Sequence, residues 1–266
     1  MSYLDPLLLS NVARAYGVRP PPVDRARIIE LGCGRGQALL PLAMRLPHAL
    51  FVGIDASSTN ARAMTERART LELHNVVCMH GDWSMAVTTL GTYDYVLCND
   101  HLSSVSIASR PMLLALCKAL LAPSGIACFS YAVDPTWQVC RSRSHRPATG
   151  RQRGRTPNTP LPGILGRANQ RGAPTGRYPL LFAEFAALLD MHALQFVGEA
   201  SMEATLATYL APEVRYLARS GRTEDIIARE QYADIELGRR VRHSLIMHQH
   251  HHVERDLTRL PVRAAA

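Results

Sequence analysis

The feature that most narrows the choice of fold is a short β-branched run that halts at a series of glycines. Arg27-Ile28-Ile29-Glu30-Leu31 has the character of a buried parallel strand, and Gly32-Cys33-Gly34-Arg35-Gly36 follows it directly. Glycines at this spacing permit a tight turn through positive φ and let a ligand approach the backbone closely. Ala38 to Leu46 then carries apolar residues on a helical period and stops before Pro47. A strand that breaks into a glycine turn and restarts as a helix opens a βαβ unit, so the chain that follows has to supply more of them.

It does so as far as Tyr131. Leu50 to Ile54 is a second strand. Ser57 or Ser58 caps a helix whose buried side is Ala61, Met64, Ala68 and Leu71. Asn75 to His80, Tyr93 to Asn99 and Ile126 to Tyr131 are three more strands. A helix from Pro111 to Leu121 lies between the last two, closed by Pro123-Ser124-Gly125. This alternation predicts an α/β fold, a parallel sheet covered by helices on both faces. After a break, order resumes at Tyr178 with a helical stripe of Phe182, Phe185, Ala186 and Leu189. Leu194 to Val197 is the next strand, polar-faced helices follow from about Met202 to Arg240, Ser244 to His248 is a last strand, and a frayed tail starts at Val253.

The break carries the charge. The net charge is +8, yet residues 141–177 alone hold nine arginines and no acid, so the flanking parts are close to neutral. With Leu161, Ile164 and Leu165 as its only aliphatic candidates for burial, this stretch cannot offset its ordering entropy and is expected to be a flexible linker. The segments therefore divide as 1–140 (core), 141–177 (Arg-rich linker), 178–250 (remaining core, with a helical insertion at about 201–240) and 251–266 (tail). No apolar run approaches the ~20 residues a membrane helix needs, and the opening stretch to Gly17 is no signal peptide, so no membrane partner and a cytoplasmic location are expected. Cys33, Cys78, Cys98, Cys117, Cys128 and Cys140 form no CxxC pair and no zinc spacing, so they are taken as reduced, mostly buried thiols, with no metal site. The cluster His248, His250, His251 and His252 is taken as part of the tail region rather than as a ligand set.

In a doubly wound sheet, ligands bind outside the carboxyl ends of the strands. There the glycine loop, with Glu30 at its base and Cys33 within it, faces Asp55, which ends the second strand next to Ala56. A carboxylate at that place can accept hydrogen bonds from both hydroxyls of a ribose. A dinucleotide site needs a further glycine where Gln37 stands, and no Gly-Lys-Ser/Thr triplet marks a phosphate loop. Without a phosphate to bind, Glu30 suits an ammonium or sulfonium charge. Asp82 and Trp83, after the third strand, suit an adenine amine and its ring. Asn99, Asp100 and His101 end the fourth strand.

Residues 25–133 resemble bacterial class I S-adenosylmethionine-dependent methyltransferases. VARAYGVRPPPV, ELGCGRGQALLPLAMRLPHALFVGID and LLAPSGIACFSY resemble the subgroup that carries a methyltransferase regulatory domain, as do LQFVGEASMEATLATYLAPEVRYLA and EQYADIELGRRVRHSLIM. The resemblance implies a Rossmann-like seven-stranded sheet, with its sixth strand at Leu194 to Val197, its last at Ser244 to His248 and regulatory helices between them. It implies S-adenosylmethionine as cofactor, with Glu30, Gly32, Gly34 and Gly36 on the cofactor loop, Asp55 on the ribose and Asp82 on the adenine. Some members are protein-lysine methyltransferases, and the sequence leaves the methyl acceptor open between a protein, such as a lysine side chain, and a small molecule. A lysine must be neutral when it attacks, and Asp100, His101 and Tyr131 are the candidates for orienting it or taking its proton.

Two rival functions remain open. Where relatives tend to have a helical lid and Ser-Tyr-Asn after the fifth strand, this chain has the Arg-rich stretch and Ser130-Tyr131-Ala132, which fits a cofactor-binding regulatory protein without turnover. The Arg-rich arm as a phosphate clamp would fit a nucleic-acid methyltransferase. Against that, Asn99-Asp100-His101-Leu102 is not the Asn-Pro-Pro-aromatic motif of amino-nitrogen methylation, no Pro-Cys pair exists, and the arm has no aromatic before Tyr178 to stack on bases.

Overall fold

The computed structural model describes residues 3–81, 90–133, 178–201, 203–205 and 226–255. Seven strands form one sheet: β1 (Arg27–Leu31), β2 (Leu50–Asp55), β3 (Val76–His80), β4 (Tyr93–Asn99), β5 (Leu121–Ala132), β6 (Leu194–Glu199) and β7 (Val241–His248). Their order is β3-β2-β1-β4-β5-β7-β6. The pairs from β3 across to β5 are parallel, and β7 runs antiparallel to both β5 and β6. The chain moves outward from β1 in one direction and then, through β4, in the other, so the switch point lies between β1 and β4.

The helices are α1 (Pro6–Ala15), α2 (Leu39–Arg45), α3 (Ser58–Thr70), α4 (His101–Ser104), α5 (Arg110–Leu120), α6 (Phe182–Met191) and α7 (Ile226–Glu236). Strand alternation sends neighbours to opposite faces. Ile28, Phe51, Tyr95 and Leu97 pack against Leu9 and Val12 of α1, Leu39 and Leu42 of α2 and Met64 of α3. Ile29, Leu31, Val96, Cys98 and Phe129 pack on the other face against Leu113, Leu114 and Cys117 of α5 and Phe182 and Phe185 of α6. The α/β expectation and the seven-stranded sheet hold, with α7 placed between β6 and β7.

Several details differ from what the sequence pattern predicts. Leu71 is exposed, because α3 ends at Thr70 and Leu71 is its C-cap; Ala61, Met64 and Ala68 alone make the buried side. Pro123-Ser124-Gly125 does not end the helix. It bulges within β5, since Leu121 pairs with Tyr93 and Ile126 already pairs with Tyr95. Gly125 is required there, as a Cβ would stand 3.0 Å from the carbonyl oxygens of Tyr93 and Asp94. The described end of the chain is not frayed: Val253 is buried, Glu254 N donates to Tyr16 O at 2.9 Å, and Arg255 Nη2 donates to Phe196 O at 2.7 Å. Helix α1 starts at a well-formed cap, with Asp5 accepting from Leu7 N at 3.0 Å and Pro6 opening the first turn. Its C-cap Tyr16 lies against Gly198, where a Cβ would stand 2.3 Å from the ring. The Arg-rich stretch 141–177, most of the expected insertion and the tail beyond Arg255 lie outside the described residues.

Candidate functional site

The three glycines after β1 have three different tasks. All adopt positive φ: +74° at Gly32, +56° at Gly34 and +78° at Gly36. Gly32 and Cys33 both donate from their amides to Ile54 O, at 2.7 and 3.0 Å, which ties the loop to the end of β2. Gly34 N donates to Asp55 Oδ2 at 2.8 Å. Gly36 starts the helical turn, and a Cβ there would press on Met64 Cγ at 2.8 Å and Leu40 Cγ at 2.9 Å. The close packing of the loop against α2 and α3 thus depends on Gly36 having no side chain.

Asp55 is the hub. Besides Gly34, it accepts through Oδ1 from Ser57 N at 2.9 Å and from Asn60 Nδ2 at 3.2 Å. A carboxylate has about four acceptor positions, and the described residues take three, so one remains for a ligand hydroxyl. Sequence reasoning missed Asn60; its signal is a place in the first turn of α3, five residues after the carboxylate.

Glu30 lies at the base of the loop and is 3% exposed. Among the described residues its Oε2 accepts no hydrogen bond. Burial, with the charge of Asp55 beside it, pushes its carboxyl up to about 8. A buried, unsatisfied carboxyl is costly by itself and strongly favours a cation placed within reach.

The end of β4 faces this loop across the switch point. Asp100 sits at φ +60° and caps α4, with its amide donating to Ser130 O at 2.9 Å. This turn directs His101 back onto the loop. Its Nε2 lies 3.3 Å from Gly32 O, and a Cβ on Gly32 would stand 1.5 Å from that same nitrogen. Ala56 and Asn99 are exposed at the same edge, and Asp100 and His101 are half-buried. The fold thus gathers Glu30, Gly32, Cys33, Gly34, Gly36, Asp55, Ala56, Asn99, Asp100 and His101 at the carboxyl ends of β1, β2 and β4. Asp82 and Trp83 lie outside the described residues.

Tyr131 does not join them. Its side chain is fully buried between the sheet and α6, the hydroxyl 3.3 Å from Ser244 Oγ and the ring 4.6 Å from that of Phe185. Burial raises its phenol well above the ordinary value. Strand alternation explains the difference: one residue before the strand's end, Tyr131 points into the helix-covered face rather than over the edge. The histidine cluster also resolves into local contacts, with His248 Nε2 3.1 Å from Leu121 O and His251 Nε2 2.6 Å from Pro123 O.

The glycine loop, the ribose-type carboxylate and the strand order together define a class I methyltransferase fold. A methyltransferase domain model matches residues 28–125, and a "predicted methyltransferase regulatory domain" model matches residues 175–248. The chain thus carries a methyltransferase domain followed by a methyltransferase regulatory domain, on the class I methyltransferase fold. An uncharacterized protein of Rickettsia prowazekii is 26% identical over 286 residues, spanning 95% of this chain and 51% of that protein. PKMT2 from Rickettsia typhi, solved in complex with AdoHcy, shares the fold with a TM-score of 0.75 at 22% identity, over 96% of this chain and 55% of PKMT2. The O-methyltransferase of a trans-AT PKS multienzyme of Brevibacillus brevis, in complex with S-adenosyl-L-homocysteine, gives a TM-score of 0.53 at 14% identity, over 92% of this chain and 71% of that one. The chain spans about half the length of the two Rickettsia proteins. No helix among the described residues is long and apolar enough to cross a membrane.

Proposed function

We propose that the chain binds S-adenosylmethionine at the carboxyl edge of β1, β2 and β4 and transfers its methyl group to an amino group, with a protein lysine as the acceptor. The observation that carries this reading is the buried Glu30 carboxyl with an unpartnered oxygen beneath a glycine cradle. A buried carboxyl that keeps its proton at neutral pH, with no cation bonded to that oxygen among the described residues, fits a cofactor whose own positive charge would let it ionise.

Glu30 would face the cofactor's positive charge, the Gly32–Gly36 loop would hold its methionine portion, and Asp55 with Ala56 would receive its ribose. Asp82 and Trp83 are assigned the adenine by family resemblance. The bound cofactor supplies a sulfonium methyl already activated for in-line displacement. The protein's share is positioning and removal of water. His101, held on Gly32 O, and Asp100, which sets its turn, orient the acceptor amine and take its proton. The lysine acceptor rests on the family resemblance and on the likeness to PKMT2. Residues 1–140 form the cofactor core in this reading, with 178–250 completing the sheet and bearing the regulatory insertion.

A second reading, cofactor binding without transfer, is supported by the enclosure of Tyr131, which removes one of three groups suited to handling the acceptor's proton. Calorimetric titration with S-adenosylmethionine tests both. Micromolar binding that is lost in Gly34→Arg and in Asp55→Ala supports the cofactor site, and label transfer from methyl-labelled cofactor to lysine-containing proteins then separates enzyme from binder. A folded wild-type protein that does not bind the cofactor overturns both readings.

A further inference from the structure

Gly53 leaves an opening on the sheet that the Cys33 side chain fills. In register, Glu30 of β1 lies beside Gly53 of β2, which lies beside Cys78 of β3. Cys33, in the glycine loop, folds back over Gly53; a Cβ on Gly53 would stand 2.6 Å from Cys33 Sγ. There Cys33 Sγ meets Cys78 Sγ at 3.8 Å. The two thiols come from segments 45 residues apart, and one of them belongs to the loop that contacts Asp55.

Their surroundings differ. Cys33 is 3% exposed. Cys78 is half-buried and lines a groove of about 580 Å³ at the outer edge of β3, alongside Met64, Ala68, Leu73 and Val76. A small oxidant therefore reaches Cys78 first. The hydrogen bond shared with Cys33 holds the Cys78 thiol below its ordinary value, and the same contact, reinforced by burial, pushes Cys33 up. Cys98, Cys117 and Cys128 are fully buried, with thiols raised by burial.

We propose that Cys33 and Cys78 form an oxidative modification site for hydroperoxides, whose closure into a disulfide fixes the cofactor loop and weakens cofactor binding. The Cys78 thiolate attacks the peroxide O–O bond and becomes a sulfenic acid, releasing an alcohol or, from hydrogen peroxide, water. The Cys33 sulfur then displaces the sulfenic hydroxyl. Its own proton leaves with that hydroxide as a second water, and an S–S bond joins the pair. Two thiols are oxidised and one peroxide is reduced; external thiols reverse the step by exchange. The link replaces a thiol–thiol hydrogen bond by a covalent tie between β3 and the residue next to Gly34, so it moves Gly34 N away from the geometry that meets Asp55. This effect on affinity rests on the cofactor reading above; the cross-link does not.

The test is hydrogen peroxide treatment of the purified chain, followed by peptide mapping under non-reducing conditions and by calorimetric titration with S-adenosylmethionine. A Cys33–Cys78 linked peptide, an affinity at least tenfold weaker and recovery of both with dithiothreitol are expected. Cys78→Ser is expected to bind as the reduced wild type does and to be insensitive to peroxide. A map without the link overturns the inference whatever the cofactor does, and a linked protein of unchanged affinity overturns the coupling to the loop. Reduced wild-type protein that fails to bind bears on the cofactor reading alone, because the map is still read.

Discussion

Two regions of this molecule bury carboxylates and treat them in opposite ways. At the ends of β6 and α7, Glu199, Glu230 and Asp234 surround Arg242 of β7, which is fully buried. Arg242 Nη1 donates to Glu199 Oε1 at 2.6 Å, Nε donates to both oxygens of Asp234 at 2.9 and 3.0 Å, and Nη2 donates to Glu230 Oε2 at 3.2 Å. The guanidinium also lies 4.3 Å over the ring of Phe182. Burial raises the Glu199 carboxyl, but Arg242, Arg239, the amide of His243 and the hydroxyl of Ser244 outweigh it and hold the group below its usual range. At the end of β1, Glu30 is buried to a similar degree, with an acid beside it instead of an arginine. In the first cluster each carboxylate meets an arginine, which ties α7 to the sheet, although burial still raises Asp234 to about 6. The second is incomplete, which under the proposed function leaves a place for the cofactor's positive charge.

The largest expected effect tests the arginine cluster. Arg242→Met leaves three carboxylates around an apolar side chain, and removing one partner from a buried ion network typically costs about 3–5 kcal/mol. Urea denaturation at neutral pH measures it. A loss below about 1 kcal/mol would mean the carboxylates reach water in the variant, and the contrast with Glu30 would lapse.

Glu30 gives the next effect, and its sign is opposite. Its carboxyl is raised from 4.5 to about 8, with Asp55, and the thiols of Cys33 and Cys98, as the titratable groups coupled to it. Below pH 4.5 both the folded and unfolded chains hold the proton. Between 4.5 and 8 only the folded chain does, and above 8 the folded chain carries a buried anion. Stability therefore falls as pH rises across that window, by on the order of a few kcal/mol in all, since each pH unit within it removes ~1.4 kcal/mol. Glu30→Gln should lack this slope and be more stable than the wild type at about pH 8.5, just above the window, while binding S-adenosylmethionine more weakly. Parallel denaturation profiles for the two proteins would show that Glu30 titrates as an ordinary exposed carboxyl.

The sequence made one half of this comparison legible and concealed the other. Glu30, Gly32, Gly34, Gly36 and Asp55 are separated by short, fixed spacings around one strand–loop–helix unit, so local pattern sufficed to place them. The strands followed for the same reason, since β-branched runs bounded by turn residues carry their own signal. The Arg242 cluster joins residues from positions 199, 230, 234 and 242 on three elements, and no local spacing announces such a meeting. Cys33 and Cys78 likewise meet only because Gly53 leaves space for Cys33. The place of Tyr131 depends on which face of β5 it occupies, and the bulge at Pro123–Gly125 hides that register from the sequence pattern.

A smaller effect tests the packing of the loop itself. Gly36→Ala adds a methyl group against Met64 and Leu40 and forces an L-residue to φ +78°. Overpacking and left-handed strain together should destabilise by about 1–3 kcal/mol, with a loss of cofactor affinity that tracks the shift of α2. Thermal denaturation beside calorimetric titration separates the two effects; an unchanged melting temperature would show that α2 moves away without cost.

The smallest effect separates support of the site from membership in it. Asn60 Nδ2 gives Asp55 Oδ1 one of its donors, but Ser57 N and Gly34 N remain when it is removed. Asn60→Ala should therefore cost about 1 kcal/mol of stability, the net worth of a typical hydrogen bond, and change S-adenosylmethionine affinity less than threefold. Two backbone amides would still fix the carboxylate, one on each oxygen, which sets both its position and its plane. A tenfold weaker affinity with unchanged stability would instead make Asn60 a cofactor contact. The hub at Asp55 would then be only partly preorganised, and the site at β1 would owe its shape to the cofactor as well as to the fold.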